Sequence, residues 1–279
     1  RRTLMLAVVL GLFGGIGLAF LIEYLDNTVK SEAEVEKRFG RTVLGSVEKI
    51  SKKERIETYI VDKPLSPLAE SYRLIRSGLL LSSPDQPPGT ILVTSMAQNE
   101  GKTSTTVNVA RVLAQDHKKV LIIDCDLRRP RMHTLFKLDN QTGLSSYLSG
   151  NIDTVAVEEI ADEPLSVITS GPVPPNPSEL LGSKRMRTLL AEMDETFDFV
   201  LLDSPPVQSV TDSLALASAS SGTIVVVQYG TTTNDMLAGG MKKLNDVNAQ
   251  VLGFVINGLK KGEAGSYYYG YSGYYKKYT

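Results

Sequence analysis

An apolar strand that passes through a small-residue loop into a helix constrains this chain more than any other stretch: "ILVTSMAQNEGKTSTTVNVA", Ile91 to Ala110. The loop ends in Gly101-Lys102-Thr103. Strand, loop and helix in that order build a phosphate cradle, because the backbone N–H groups of the loop and the positive end of the helix converge on a polyanion. Lys102 adds a point charge, and the Thr103 hydroxyl can ligate Mg²⁺. Met96 stands where the usual pattern G-x-x-x-x-G-K-[ST] opens with glycine. Taken alone, Gly-Lys-Thr is equally compatible with an ordinary turn.

Two further strand ends decide between these readings. In "VLIIDCDLRRP", Val120 to Ile123 read as a buried strand from whose end Asp124 and Asp126 emerge together; in "FVLLDSPP", Asp203 emerges in the same way after Phe199 to Leu202. Ligands of open parallel sheets collect beyond the carboxyl ends of the strands, so all three carboxylates are expected to face the loop. One such Asp is often only a helix cap or turn former. Three beside a phosphate loop match the carboxylates that a hydrated Mg²⁺ requires. Further apolar runs at 165–169, 223–228 and 251–257 alternate with helical stretches. Right-handed crossovers then predict an α/β fold of the P-loop NTPase kind, with a mostly parallel sheet covered by helices on both faces. Asn257, at the end of the last run, either offers its amide to a nucleobase edge or closes the turn with Gly258.

The chain has 279 residues and a formal net charge of −1, which gives no ground for general nucleic-acid binding. Its one cysteine, Cys125, excludes a disulfide framework and any C-x-x-C metal site, and reads as a small buried side chain in a reducing compartment. The N-terminus differs from the rest. Thr3 to Ile22 carries no charge over a length that suits a membrane-crossing helix, and it continues into a charged juxtamembrane stretch rather than a cleavage site. The chain starts at Arg1 rather than Met and is read as a piece of a longer protein. ATP is cytosolic, so the part beyond the membrane segment is expected in the cytoplasm, although Arg1 and Arg2 favour the opposite orientation.

Residues 30–65 read as a charged linker with a possible extended segment at 41–50. A helix is then expected from Ser66 and Pro67, with Leu68, Tyr72, Ile75 and Leu79 as its apolar seam. Glu70, Arg73 and Arg76 fall on another stripe at three-residue steps, either a solvated face or one that pairs with a neighbouring subunit. The loop "GPVPPNPSELL" is stiffened by its prolines until Pro177-Ser178 opens a helix. Seven of the twelve tyrosines crowd the last residues: Tyr267, Tyr268, Tyr269, Tyr271, Tyr274, Tyr275 and Tyr278. Their Gly, Ser and Lys neighbours give no periodicity for a packed element, and beside a nucleotide site a cluster of phenols reads as a phosphoacceptor array.

These features together resemble the bacterial tyrosine kinases (BY-kinases) of the Wzc/CapB type, over essentially the whole chain. "SMAQNEGKTS" is similar to their variant Walker A motif, "LIIDCDLRRP" to Walker A′ and "VLLDSPP" to Walker B; Glu70, Arg73 and Arg76 match an E-x-x-R-x-x-R oligomerisation motif. Gln98-Asn99 stands where many members carry Pro-Gly. The resemblance implies a membrane helix and juxtamembrane end of a Wzz-like region at 1–29, a linker at 30–65, a kinase domain at 66–261 and a tyrosine-rich tail at 262–279. It also implies ATP and Mg²⁺ as cofactors, with Gln98, Asn99, Glu100, Gly101, Lys102, Thr103, Ser104 and Asn257 around the nucleotide. Thr103, Asp124, Asp126 and Asp203 would attend the metal, with Asp124 as catalytic base or closest metal partner and Lys102 on the γ-phosphate. Arg128 and Arg129 follow these aspartates, and contact with phosphate, contact with the incoming acidic tail and simple surface exposure stay open for them. The implied reaction is autophosphorylation in trans within a ring at the bacterial inner membrane. The implied partners are a tyrosine phosphatase and the polysaccharide polymerisation and export machinery. Two alternatives share the motifs: a MinD/ParA-like ATPase switch, whose signature lysine has Ala97 as its counterpart here, and a nucleotide-binding export scaffold.

Overall fold

The computed structural model describes residues 2–51, 54–82, 88–115, 117–161 and 163–260, without the side chains of residues 3, 4 and 7–9. The seven tail tyrosines lie outside the described residues. In chain order the elements are α1 (Arg2–Leu25), α2 (Glu32–Phe39), β1 (Val43–Glu48), α3 (Ile56–Asp62), α4 (Pro67–Leu81), β2 (Thr90–Ser95), α5 (Lys102–Ala114), β3 (Val120–Asp124), α6 (Met132–Phe136) and α7 (Leu144–Leu148). There follow β4 (Glu158–Glu159), β5 (Leu165–Ile168), α8 (Pro177–Leu181), α9 (Lys184–Thr196), β6 (Phe199–Asp203), α10 (Asp212–Ala219), β7 (Gly222–Gln228), α11 (Asn234–Asp246) and β8 (Val251–Leu259).

The strands form one sheet in the order β1-β8-β7-β2-β6-β3-β5-β4. All pairings are parallel except the short β4 against β5. The apolar runs are continuous because both faces are covered. Leu92, Leu121 and Ile123 point into one core with Leu189 and Leu190 of α9 and Leu237 of α11; Ile91, Val93, Val120 and Ile122 point into the other with α4 and α5. Alternation across the pleat thus feeds two cores from one strand.

Residues 30–65 are more than a linker. They hold two helices and the edge strand β1, which pairs in parallel with β8, Val47 opposite Asn257. The chain before them is also tied down: Val29 N donates to Thr232 O, Gly230 N to Val29 O, and Thr28 bridges Thr233. The α4 helix starts as expected, Ser66 Oγ accepting from Ala69 N at 3.2 Å, with Leu68, Tyr72, Ile75 and Leu79 buried. Among the described residues no helix is long and apolar enough to cross a membrane. The α1 helix covers the segment where one was expected, and its described apolar side chains from Met5 to Leu25 are exposed.

Candidate active site

The β2 strand delivers the chain into the loop in the middle of the sheet, between β7 and β6, where the strands on either side diverge to separate crossovers. Inside the loop Glu100 folds back on itself. Its carboxylate accepts from Ala97 N at 2.7 Å and from the Thr232 hydroxyl, and is 2 % exposed. Burial raises its pKa above the ordinary glutamate value. Glycine is required at 101 on two counts. Its φ is +92°, and a Cβ there would lie 2.1 Å from Asn257 Nδ2, which donates to Glu100 O at 3.0 Å. Met96, in place of the usual first glycine, is buried against Gly240 of α11, where a Cβ would fall 1.9 Å from its sulfur.

The three carboxylates arrive at the loop, on two levels. Asp124 and Asp203 are direct partners across β3 and β6, and both are buried. The Thr103 hydroxyl donates to Asp203 Oδ2 at 2.8 Å and the Thr106 hydroxyl to its Oδ1 at 3.3 Å. Asp124 Oδ2 accepts from Arg131 N and Met132 N, each at 3.0 Å. Burial and then the neighbouring Asp203 push the Asp124 carboxyl above the ordinary aspartate value, and burial pushes Asp203 up as well, against the pull of Lys102. Asp126 stands one step further out, with its Oδ2 3.5 Å from Lys102 Nζ.

A cavity of about 290 Å³ opens above these groups, lined by Lys102, Thr103, Asp126, Arg128, Arg129 and Arg131 among others. Gln98, Asn99, Gly101 and Ser104 also reach it. Glu100, Asp124, Asp203 and Asn257 do not line it. Asp124, read from the sequence as base or nearest metal partner, sits at the buried strand end behind Asp126, and Asp126 is the carboxylate in the cavity wall. A second cavity of about 410 Å³ adjoins Asn257, with Ile50, Glu57 and Gln228 in its wall. Ser104 Oγ donates to Glu57 at 2.9 Å between the two. Among the described residues no group of three His, Cys, Asp or Glu side chains is arranged to hold a metal ion. Mg²⁺ does not need one, since it is bound by one or two carboxylates together with substrate phosphates and water.

Elsewhere, Arg73 is engaged by Glu70 at 3.0 Å and by Pro64 O at 2.6 Å, and Arg76 donates to Val112 O at 2.9 Å. The sequence reading overlooked Arg131 in the cavity wall and the buried Asp212, which holds Arg128 at 2.9 Å. Asp212 gives a weak signal, because an acidic residue in the first turn of a helix is ordinarily only a dipole partner.

A phosphate loop at the switch point of a parallel sheet, with a lysine, a hydroxyl and strand-end carboxylates around one cavity, defines a P-loop nucleotide-binding protein. The family model described as an AAA domain matches residues 90–252. The chain is 39% identical over 210 residues to tyrosine-protein kinase YwqD of Bacillus subtilis (strain 168), which covers 75% of this chain and 89% of that protein. It is 33% identical over 275 residues to tyrosine-protein kinase ptk of Acinetobacter johnsonii, covering 95% of this chain but 38% of that protein. The solved kinase domain of Escherichia coli tyrosine kinase ETK matches with a TM-score of 0.79 at 30% identity, covering 86% of this chain and 98% of that one. The chain belongs to the bacterial tyrosine-protein kinase family, and its enzymatic activity is that of a tyrosine-protein kinase. Cell division ATPase MinD of Pyrococcus furiosus, at 23% identity and a TM-score of 0.52 over 61% of this chain and 71% of that one, shares the fold alone.

Proposed function

We propose that the chain phosphorylates its own C-terminal tyrosine cluster, from Tyr267 to Tyr278, in trans, at the cavity beside Lys102. The observation that carries this reading is the cavity itself. Four cations, Lys102, Arg128, Arg129 and Arg131, surround one carboxylate, Asp126, which suits a polyphosphate and an acceptor that must lose a proton. A tyrosine phenol has an ordinary pKa of about 10, so its proton needs a base near neutral pH. Asp126 is the carboxylate at the cavity surface, and it takes that proton. Lys102 holds the phosphate, and the loop N–H groups at the N-terminus of α5 orient it.

Mg²⁺ fits the donor set. Thr103 and Asp203 are already hydrogen bonded, and the Asp124–Asp203 pair is a buried like-charge pair that a cation relieves. Thr103 and Asp203 would hold it or its waters, and the ion would supply charge neutralisation to the phosphates. Asn257 and the second cavity suit the nucleobase, since both lie directly beside the loop.

Self-association would use the α3–α4 face. Val61, Leu65, Leu74 and Leu81 are exposed there beside Glu70 and Arg73, an apolar patch with a charged rim. The α1 helix holds the kinase at the inner membrane with its catalytic part in the cytoplasm. What supports this placement is the uncharged run from Thr3 to Ile22 in the sequence. In that setting cycles of tail phosphorylation, reversed by a phosphatase, regulate polysaccharide polymerisation and export.

A mixed-subunit assay tests the central claim. Lys102→Met with an intact tail is incubated with ATP, Mg²⁺ and a wild-type chain lacking residues 262–279, and phosphotyrosine is mapped by mass spectrometry. Phosphate on the Lys102→Met tail is the expected result; an unmodified tail removes transfer in trans.

A further inference from the structure

The Pro-rich loop and Asp212 take no part in the reading above, yet they meet at the rim of the cavity. Asp212 opens α10 with a fully buried side chain, and accepts from Arg128 Nε at 2.9 Å and Arg128 Nη2 at 3.1 Å. Ser178, the second residue of α8 and the first after the last proline of the loop, donates its hydroxyl to Asp212 Oδ1. Arg128 Nη2 lies 3.3 Å from the same hydroxyl. Three segments far apart in sequence thus converge on one guanidinium.

The arrangement is lopsided in a way that a plain structural ion pair is not. The carboxylate is withdrawn from water entirely, and the fork-to-fork pair with Arg128 replaces its lost hydration. Its arginine is 41 % exposed and lines the cavity with Lys102 and Thr103. Nε and Nη2 are engaged by protein, and Nη1 has no partner among the described residues. Arg129, by contrast, gives its Nη1 to Gln98 at 2.6 Å, and the Arg131 side chain has no hydrogen bond among the described residues. Only Arg128 is both locked in its plane and open to the cavity.

We propose that Arg128 is a catalytic residue that donates to the phosphoryl group in flight, and that Asp212 and Ser178 are positioning residues that fix its plane. The prolines before Ser178 serve the same end, since a stiff loop holds the hydroxyl without entropy to lose. In the transfer the phenol oxygen forms a bond to the γ-phosphorus as the bond from that phosphorus to the β,γ-bridging oxygen breaks. The phenol proton passes to the Asp126 carboxylate, and ADP leaves with the electron pair. Charge spreads over the equatorial oxygens of the phosphoryl group, where a fixed donor is worth more in the transition state than in the ground state. Lysine at 128 keeps the charge but not the fork.

This assignment rests on transfer occurring beside Lys102, so Lys102→Met runs in the same assay. Tail phosphorylation by the full chain is followed under saturating ATP, together with ADP affinity and melting temperature. Arg128→Lys and Asp212→Asn are each expected to lower kcat by about 100-fold. ADP, which lacks the transferred group, should bind within about twofold of wild type. On an Arg128→Ala background, Asp212→Asn should lower kcat no further, because it acts only through that arginine. If Asp212→Asn does not fold, Ser178→Ala carries the same test with a smaller loss. Wild-type kcat in Arg128→Lys while Lys102→Met is inactive overturns the proposal, as does a fall in ADP affinity equal to the fall in kcat, which marks a merely structural anchor. Activity retained in Lys102→Met overturns the cavity reading instead.

Discussion

The Thr103 hydroxyl donates to Asp203 Oδ2 at 2.8 Å, so the first turn of α5 is tied to the end of β6. The bond joins the phosphate loop to the strand that pairs with both β2 and β3. It orients a hydroxyl and a carboxylate for a common cation. Thr103→Val preserves the shape and removes the donor. The expected outcome is a loss of about 10- to 100-fold in kcat/KM at limiting Mg²⁺, partly recovered at high Mg²⁺. An unchanged Mg²⁺ dependence in that variant would show that the pair serves only the fold.

Gly101 yields a second expectation. Alanine there must adopt φ +92° and meets the Asn257 amide, so the loop has to open. Strain of about 1–2 kcal/mol corresponds to a loss of roughly 10-fold in nucleotide affinity, with the sheet intact. Adding Asn257→Ala removes the clash but leaves the strained φ, and should restore part of the loss. Calorimetric titration with ADP checks both, and wild-type affinity in Gly101→Ala would contradict the geometry.

Glu100 supplies a pH dependence. Its pKa is raised, chiefly by burial, so the folded state holds this proton more tightly than the unfolded chain does. The stabilisation this gives is fully present below the ordinary glutamate value of 4.5 and is lost as pH rises through the higher folded value. Glu100→Gln cannot titrate. Urea unfolding of both proteins from pH 4 upward should therefore show the wild type losing ground to the variant as pH rises. Parallel curves would mean that Glu100 titrates alike in both states.

The α4 stripe carries a double burden that complicates its test. Replacing Glu70, Arg73 and Arg76 together by Ala also removes the bond from Arg76 to Val112 O, which at about 1 kcal/mol is a small but measurable loss of stability. The triple variant is expected to melt slightly lower and to lose self-association, whereas Leu74→Ser with Leu81→Ser should reduce association without a lower melting point. Light scattering on residues 30–279 separates the two effects. Undiminished assembly in both variants would move the contact surface elsewhere.

Much of this protein is decided locally, and the sequence by itself determined that part. A parallel strand buried on both faces must be an unbroken apolar run, so β2, β3, β6, β7 and β8 are visible as "ILVT", "VLIID", "FVLLD", "TIVVVQ" and "VLGFVIN". The phosphate loop is visible too, because glycine, lysine and threonine do their chemistry within one turn of chain. Contacts between distant segments left no such trace. Only the tertiary structure decided that residues 43–48 join the sheet, since a half-exposed edge strand carries a weak pattern and its partner β8 lies some two hundred residues later. Likewise the residue pattern Asp-Cys-Asp cannot say which carboxylate faces solvent. Pairing with β6 buries Asp124 against Asp203, and the chain turns outward only at Asp126. Asp212 and Ser178 were silent for the same reason: each looks like an ordinary helix-opening residue until folding brings both against Arg128, where burial and a fixed guanidinium give them meaning.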